Sequence, residues 1–283
     1  MTSVSRKLLF GTAGVPLSAP VSTTLAALDH IKRLGLDCLE VEFVKGVKMG
    51  NETAAVIGKK ASDLGIQLSV HAPYYINLNS KKQGTRLASQ EHLLSSARLA
   101  RILGARNLVF HCGYYGHETP EMAFQNIKAA LRNIVSILRS EGNPVILRPE
   151  TMGKKTQFGS LDEILALCRE VDGLLPCFDF SHLHAREAGE NSYRLFSHIL
   201  RKAEKKLGRA ATSDMHIHIA GILYGERGEI KHLDLDKSDF NFGGLLKALQ
   251  DAGAAGMVIC ESPNLETDAL MLKDLYQSYR VKA

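Results

Sequence analysis

Residues 66–72 read IQLSVHA, residues 89–104 read SQEHLLSSARLARILG and residues 107–112 read NLVFHC. The outer two are short and β-rich, as strands are; the middle one spaces its apolar residues three and four apart, as a helix does. A strand, a helix and another strand in this order make a βαβ unit with parallel strands and a right-handed crossover. Both strands end in an imidazole, His71 and His111, so the unit poses a question of chemistry as well as of fold.

The alternation continues in both directions. Further strands are expected at KLLFGTA (7–13), LDCLEVEFV (36–44), PVILRPE (144–150), LPCFDF (175–180), MHIHIAG (215–221) and GMVICES (256–262). Helical segments are expected at 22–35, 52–65, 121–140, 160–171, 192–208, 238–253 and 266–280. Ser160 with Glu163 forms a capping box, and Gly35, Gly65, Gly104 and Gly253 stand where helices should stop. Eight strand-then-helix units in 283 residues predict a single (β/α)8 TIM barrel over residues 1–283 rather than an open doubly wound sheet. The phosphate-binding signatures of the open sheet, G-x-G-x-x-G after the first strand or G-x-x-x-x-G-K-[ST], are absent from the sequence.

Composition narrows the class. Hydrophobic residues make up 45% and charged residues 23% of the chain, which excludes disordered and fibrous classes. No apolar run has membrane-spanning length, and the first residues lack a secretory pattern, so a cytoplasmic protein without a membrane partner is expected. Cys38, Cys112, Cys168, Cys177 and Cys260 are odd in number and scattered, which predicts reduced, buried thiols rather than disulfides or a zinc knuckle. The net charge of +5 suits a polyanionic partner without requiring one.

In a barrel the chemistry sits at the C-terminal ends of the strands. There the sequence places His71, His111, Glu150, Asp179 with His182 beyond it, His218 and Glu261; His232 follows in the long loop after the seventh strand. A lone strand-end histidine is most often a hydrogen-bonded structural residue. So many acids and imidazoles converging in one mouth would each cost several kcal/mol unpaired, and a cation is the economical compensation. Neutral imidazole and carboxylate suit Zn2+, Mn2+ or Fe2+, and the number of candidate ligands points to two or three ions. His30, His92 and His198 fall in helices and His117 in a loop, where packing or solvation accounts for them. Glu42 is read as a supporting acceptor or as a partner of Lys45 or Lys48. His216 and His218 share one face of their strand, and His218, nearer the end, is the ligand candidate, with His216 supporting it.

The order VHAPYYINL, FHCG, RPET, FDFSHLHA, HIHIAG and CESP resembles the endonuclease IV family of apurinic/apyrimidinic endonucleases, whose members are TIM barrels with three zinc ions. The resemblance implies that His71, His111 and Glu150 hold one metal, that Glu150, Asp179, His218 and Glu261 hold a second, and that His182 and His232 contribute to a third. Glu150 and Glu261 would then be the catalytic carboxylates, Zn2+ the cofactor, with Mn2+ or Mg2+ as substitutes, and damaged double-stranded DNA the partner of a monomer. Tyr74 matches a position that enters DNA near the lesion, although a plain rim aromatic explains it equally. Where the family carries Asp two residues before the histidine matching His232, this chain has Ile230. Glu229 or His184 is the replacement to look for, unless only two metals bind. Exposed cations expected around the mouth are Lys45, Lys48, Lys81, Lys82, Arg86, Lys154, Lys155, Arg186 and Lys231. The competing expectation is a sugar isomerase or epimerase of the related xylose isomerase-like barrels, which would need one divalent metal on Glu150, Asp179, His218 and Glu261 alone.

Overall fold

The computed structural model describes residues 7–281. Seven barrel strands come first in sequence: β1 (Leu8–Ala13), β2 (Cys38–Glu42), β3 (Gln67–His71), β4 (Asn107–Phe110), β5 (Ile146–Pro149), β6 (Cys177–Asp179) and β7 (Met215–Ile219). A hairpin follows, β8 (Gly221–Gly225) and β9 (Gly228–Leu233), and the last barrel strand is β10 (Gly256–Cys260). The barrel sheet runs β5-β4-β3-β2-β1-β10-β7-β6, with parallel pairing throughout. Isolated parallel bridges, Leu147 with Leu174 and Glu150 with Cys177, close the seam between β5 and β6. The TIM barrel expected from the alternation is therefore the fold observed.

The helices form where the sequence signals them. Helix α4 (Pro120–Ser140) starts behind Thr119, whose side chain accepts from the Met122 N–H, and Pro120 occupies the first turn, where no backbone donor is needed. It buries Ala123, Ile127, Leu131, Ile134, Val135 and Leu138 on one face, each large apolar side chain contributing about 1.5–3 kcal/mol of burial. Helix α5 (Leu161–Glu170) carries the full Ser160–Glu163 capping box. The helices α1 (Thr24–Leu34) and α2 (Asn51–Leu64) stop at Gly35 and Gly65 in the left-handed conformation. Helices α3 (Gln83–Ile102), α7 (Tyr193–Leu207), α9 (Phe242–Asp251) and α10 (Glu266–Val281) complete the outer layer, and all five cysteines are buried free thiols.

Two elements depart from the expected pattern. The segment after β6 is a helix, α6 (Phe180–Glu187), because Asp179 ends the strand and caps the helix at once: its side chain accepts from the His182 N–H. The segment after β7 is not a long loop but the β8–β9 hairpin, followed by a short 3-10 turn at Leu235–Lys237. A four-residue helix, α8 (Ala210–Ser213), precedes β7.

Side chains alternate along each strand, and the inward set runs Glu40 and Glu42 on β2, Ser69 and His71 on β3, Arg148 then Glu150 on and just after β5, and His216 and His218 on β7. Glu40, Ser69, Asn107, Arg148 and His216 are all buried below the mouth. The lumen is thus filled in good part by polar groups, while the apolar core lies between strands and helices.

Candidate metal centre at the barrel mouth

Glu150 is the hub. Its Oε2 lies 3.3 Å from His71 Nε2 and 3.1 Å from His111 Nε2, and its Oε1 lies 3.2 Å from His182 Nδ1 and 3.4 Å from His218 Nδ1. His218 Nδ1 is also 3.3 Å from Glu261 Oε1, and Asp179 Oδ2 is 3.2 Å from His182 Nδ1. Three overlapping groups have donor atoms within 4.8 Å of one another: His71, His111 and Glu150; Glu150, Asp179, His218 and Glu261; and Asp179, His182 and His232. A fourth, Cys177 with His216 and His218, lies deeper. All eight residues proposed as ligands from the sequence are brought together.

Backbone carbonyls set which ring nitrogens face the site. His71 Nδ1 donates to the Ala72 carbonyl at 2.7 Å, leaving the Nε2 lone pair toward Glu150. His182 Nδ1 is 3.1 Å from the Thr151 carbonyl and His232 Nδ1 is 3.1 Å from the Glu261 carbonyl. With those nitrogens donating, the two Nε2 atoms face each other at 3.3 Å, with Glu229 Oε2 3.5 Å from that of His182. Lone pair against lone pair beside a carboxylate is relieved by a proton or by a metal ion. Asp179 Oδ2 and His218 Nδ1, both buried, make no aligned hydrogen bond. The imidazole and carboxylate donors and these uncommitted atoms fit a divalent cation.

Without a cation, protons take its place. Burial works against the His71 and His182 cations, yet carboxylates overcome it, Glu150 at His71 and Asp179 and Glu150 at His182, raising them to about 9 and about 10. Burial pushes Glu261 up to about 8 and Glu42 to about 7, against the pull of nearby histidines. Burial would also raise Glu150, but His111 and His218 hold it well below the ordinary carboxylate range.

His184 is turned away: its Nε2 is 3.2 Å from Asp239 Oδ1, and its ring packs on Tyr224 and Phe240. Glu229 is the carboxylate beside His182 and His232. In the hairpin Leu223 pairs with Lys231 and Tyr224 with Glu229, so Ile230 is an extra, bulged residue, 58% exposed. A bulge shifts the alternation by one, which brings Glu229, three residues before His232, to the face that residue 230 would otherwise occupy.

The mouth opens into a cleft of about 470 Å³ whose lining includes Glu42, Tyr74, Lys154, Glu229 and His232. Tyr74 is at the rim, its hydroxyl donating to Glu42 Oε2 at 2.7 Å and its ring 4.6 Å from that of His71. Of the mouth cations, Lys45, Lys48, Lys81, Lys82, Lys154, Lys155 and Lys231 are exposed. Arg86 donates to the Ser80 and Lys81 carbonyls. Arg186 is not a surface cation: it is buried and donates to the Lys154 and Gln157 carbonyls at 2.7 and 3.1 Å, bracing the loop after β5. Glu40, which sequence reasoning passed over, sits under the site, 2.9 Å from both His216 Nε2 and His218 Nε2. Its inward parity with Glu42 was the signal that could have found it.

Comparison with known proteins places the chain in a family. A family described as xylose isomerase-like TIM barrel matches residues 28–277. Uncharacterized protein MJ0133 of Methanocaldococcus jannaschii is 46% identical over 270 residues, covering 95% of this chain and 97% of its own. A probable endonuclease 4 from Geobacillus sp. is 29% identical over 187 residues, covering 63% and 60%. Among solved structures, a D-tagatose 3-epimerase-like protein superposes with TM-score 0.72 at 21% identity over 95% of this chain and 97% of that one. Endonuclease IV from Thermus thermophilus gives 0.70 at 20% identity over 96% and 100%. Structural likeness at such identities speaks to the fold alone, and the two scores do not separate a nuclease from an epimerase. With matching sequence over most of its length and eight parallel strands around a mouth of imidazoles and carboxylates, the chain belongs to the xylose isomerase-like TIM barrel family.

Proposed function

We propose that this protein hydrolyses DNA phosphodiester bonds at abasic sites, using two or three zinc ions held at the barrel mouth. The observation that carries the reading is the overlap of three donor groups through Glu150 and Asp179. A one-metal isomerase needs only Glu150, Asp179, His218 and Glu261; it leaves the aimed nitrogens of His71, His111, His182 and His232 without a use. The sequence relatives named endonuclease 4 support the same direction.

Bound there, the ions would activate water and neutralise charge on the phosphate and its leaving oxygen. The residues of the chain do the rest. Glu150 joins the groups, Glu261 and Asp179 close the second, and Glu229 stands as the carboxylate of the third. The carbonyls of Ala72 and Glu261 hold His71 with Nε2 toward Glu150 and His232 with Nε2 toward His182. Tyr74, fixed by Glu42, offers a ring at the rim for an unstacked nucleotide, and exposed lysines such as Lys154 meet the backbone phosphates. The test is incision of abasic duplex DNA by purified, zinc-replete protein, with His111→Ala and Glu261→Gln as controls. Incision lost in both variants supports the reading; neither incision nor binding by the parent sinks it, and binding without incision reassigns the protein as a lesion binder.

The second reading, a one-metal sugar epimerase, is favoured by the self-contained tetrad of Glu150, Asp179, His218 and Glu261. One manganese or magnesium per chain together with ketose turnover would select it.

A further inference from the structure

Below the mouth, polar side chains are joined end to end along the barrel axis. Arg148 is 1% exposed; its Nη2 donates to Asp214 Oδ1 at 3.0 Å and its Nε to Asn107 Oδ1 at 3.0 Å. A guanidinium cannot accept a hydrogen bond, so the Asn107 carbonyl must face it. The Asn107 amide is thereby turned to His216, with Nδ2 3.2 Å from Nδ1. His216 Nδ1 therefore accepts, and its proton sits on Nε2, which donates to Glu40 Oε2 at 2.9 Å. The Ser69 hydroxyl donates to the same oxygen at 2.7 Å.

The other Glu40 oxygen stands 2.9 Å from His218 Nε2, and neither atom makes an aligned hydrogen bond elsewhere or along this contact, which leaves it a close charge contact. A bare lone pair on that nitrogen would face a carboxylate oxygen at contact distance where both residues are fully buried, an arrangement the low local dielectric makes costly. The His218 proton therefore belongs on Nε2, and the lone pair of Nδ1 is left facing Glu150 and Glu261.

We propose that Glu40 is a positioning residue for the metal centre: it pins His218 with its proton on Nε2, freeing Nδ1 as the ligand, and the direction of this hydrogen-bond chain is set by Arg148 deep in the barrel. The inference rests on the reading of His218 as a metal ligand and not on the reaction catalysed.

The experiment has two arms. Long-range proton–nitrogen correlation spectra of the unmutated, zinc-loaded protein should show His218 protonated at Nε2 with Nδ1 bearing the metal-bound shift. Zinc affinity, measured by chelator competition, should fall about 10- to 100-fold in Glu40→Leu, the usual size of losing a group that orients a ligand. Glu40→Gln must keep its single oxygen on the His216 and Ser69 donors and so turns its amide N–H to His218 Nε2; it should lose affinity as Glu40→Leu does, whereas Glu40→Asp, with two acceptor oxygens, should recover part of it. The cobalt-substituted absorption spectrum should change in Glu40→Leu and Glu40→Gln and less in Glu40→Asp; a role in folding alone would lower the melting temperatures without this split. A His218 proton on Nδ1, or a folded Glu40→Leu protein that binds zinc as tightly as the parent, overturns the proposal. If the variants do not fold, the spectrum of the unmutated protein still decides. Correct protonation with no DNA incision would sink the proposed function and leave this inference standing.

Discussion

At the scale of single residues, the third donor group turns on Glu229. The position at which the endonuclease IV resemblance implies a carboxylate is filled by Ile230, yet the bulge at Ile230 sends that side chain outward and brings Glu229 to within 3.5 Å of His182. Glu229→Ala should therefore lower bound metal by one ion per chain, measured by elemental analysis after gel filtration, with the ions at Glu150 retained. Adding Ile230→Asp should not restore it, because position 230 faces solvent; full restoration would show that the bulge is not maintained. His184→Ala makes the contrast. That ring contacts Asp239, Tyr224 and Phe240, so its removal should cost stability, about 0.5–3 kcal/mol as for a typical buried substitution, without changing metal content. A lost ion in His184→Ala would contradict the placement of the ring.

At the scale of elements, the hairpin is the part that holds the third group together. Gly228 has φ +91° and would bring a Cβ to 2.1 Å from the Gly153 carbonyl oxygen; the Glu229 N–H donates to that same oxygen at 3.2 Å and the Lys155 N–H to the Arg227 carbonyl at 3.1 Å. Gly228→Ala should thus lift the hairpin off the loop after β5, carrying Glu229 and His232 away from His182. The expected result is loss of one bound ion with a fold otherwise intact by circular dichroism; unchanged metal content would show that the hairpin does not need this close approach. The eight strands and the ionisable residues at their ends were legible because a parallel barrel writes them plainly: a short β-rich run, an ionisable residue at its end, a helix behind. The hairpin was not, since glycines at 221, 225 and 228 and charges between them resemble any long loop, and a bulge leaves no periodic trace. Helix α6 escaped for another reason: Asp179 ends the strand and caps the helix in one residue, and eight residues are too few to display a helical period. Glu40 was legible by parity, but an acid in the middle of a strand gives no hint of the two histidines, distant in sequence, that it will meet.

For the whole molecule, the metal centre should govern how stability depends on pH. In the metal-free barrel His71 and His182 keep their protons to about 9 and about 10, and Glu261 keeps its own to about 8. The unfolded chain releases the histidine protons near 6.5 and the carboxyl proton near 4.3. Between pH 7 and pH 10 the folded state therefore binds more protons than the unfolded one, so its stability falls as pH rises through that window. Groups shifted the other way, His111 and His232, which burial lowers, act below that window and do not offset it. Bound cations take the places of these protons, so the loaded protein should keep only the shallower slope of the five buried thiols, which burial raises above the about 8.5 of the unfolded chain, and should bind metal more tightly as the pH rises. Chelator-treated protein should accordingly melt at steadily lower temperatures from pH 7 to 10, and zinc-loaded protein should show a smaller fall, confined to the upper part of that range, and a higher melting temperature throughout, by ligand linkage. The difference between the two curves should widen with pH and should narrow in a His71→Ala, His182→Ala double variant, which has lost two of the imidazoles that hold protons above their ordinary range. A chelated protein whose melting temperature is flat across this range would mean that the mouth does not hold these protons, and the compensation argument that leads to a metal there would fail with it.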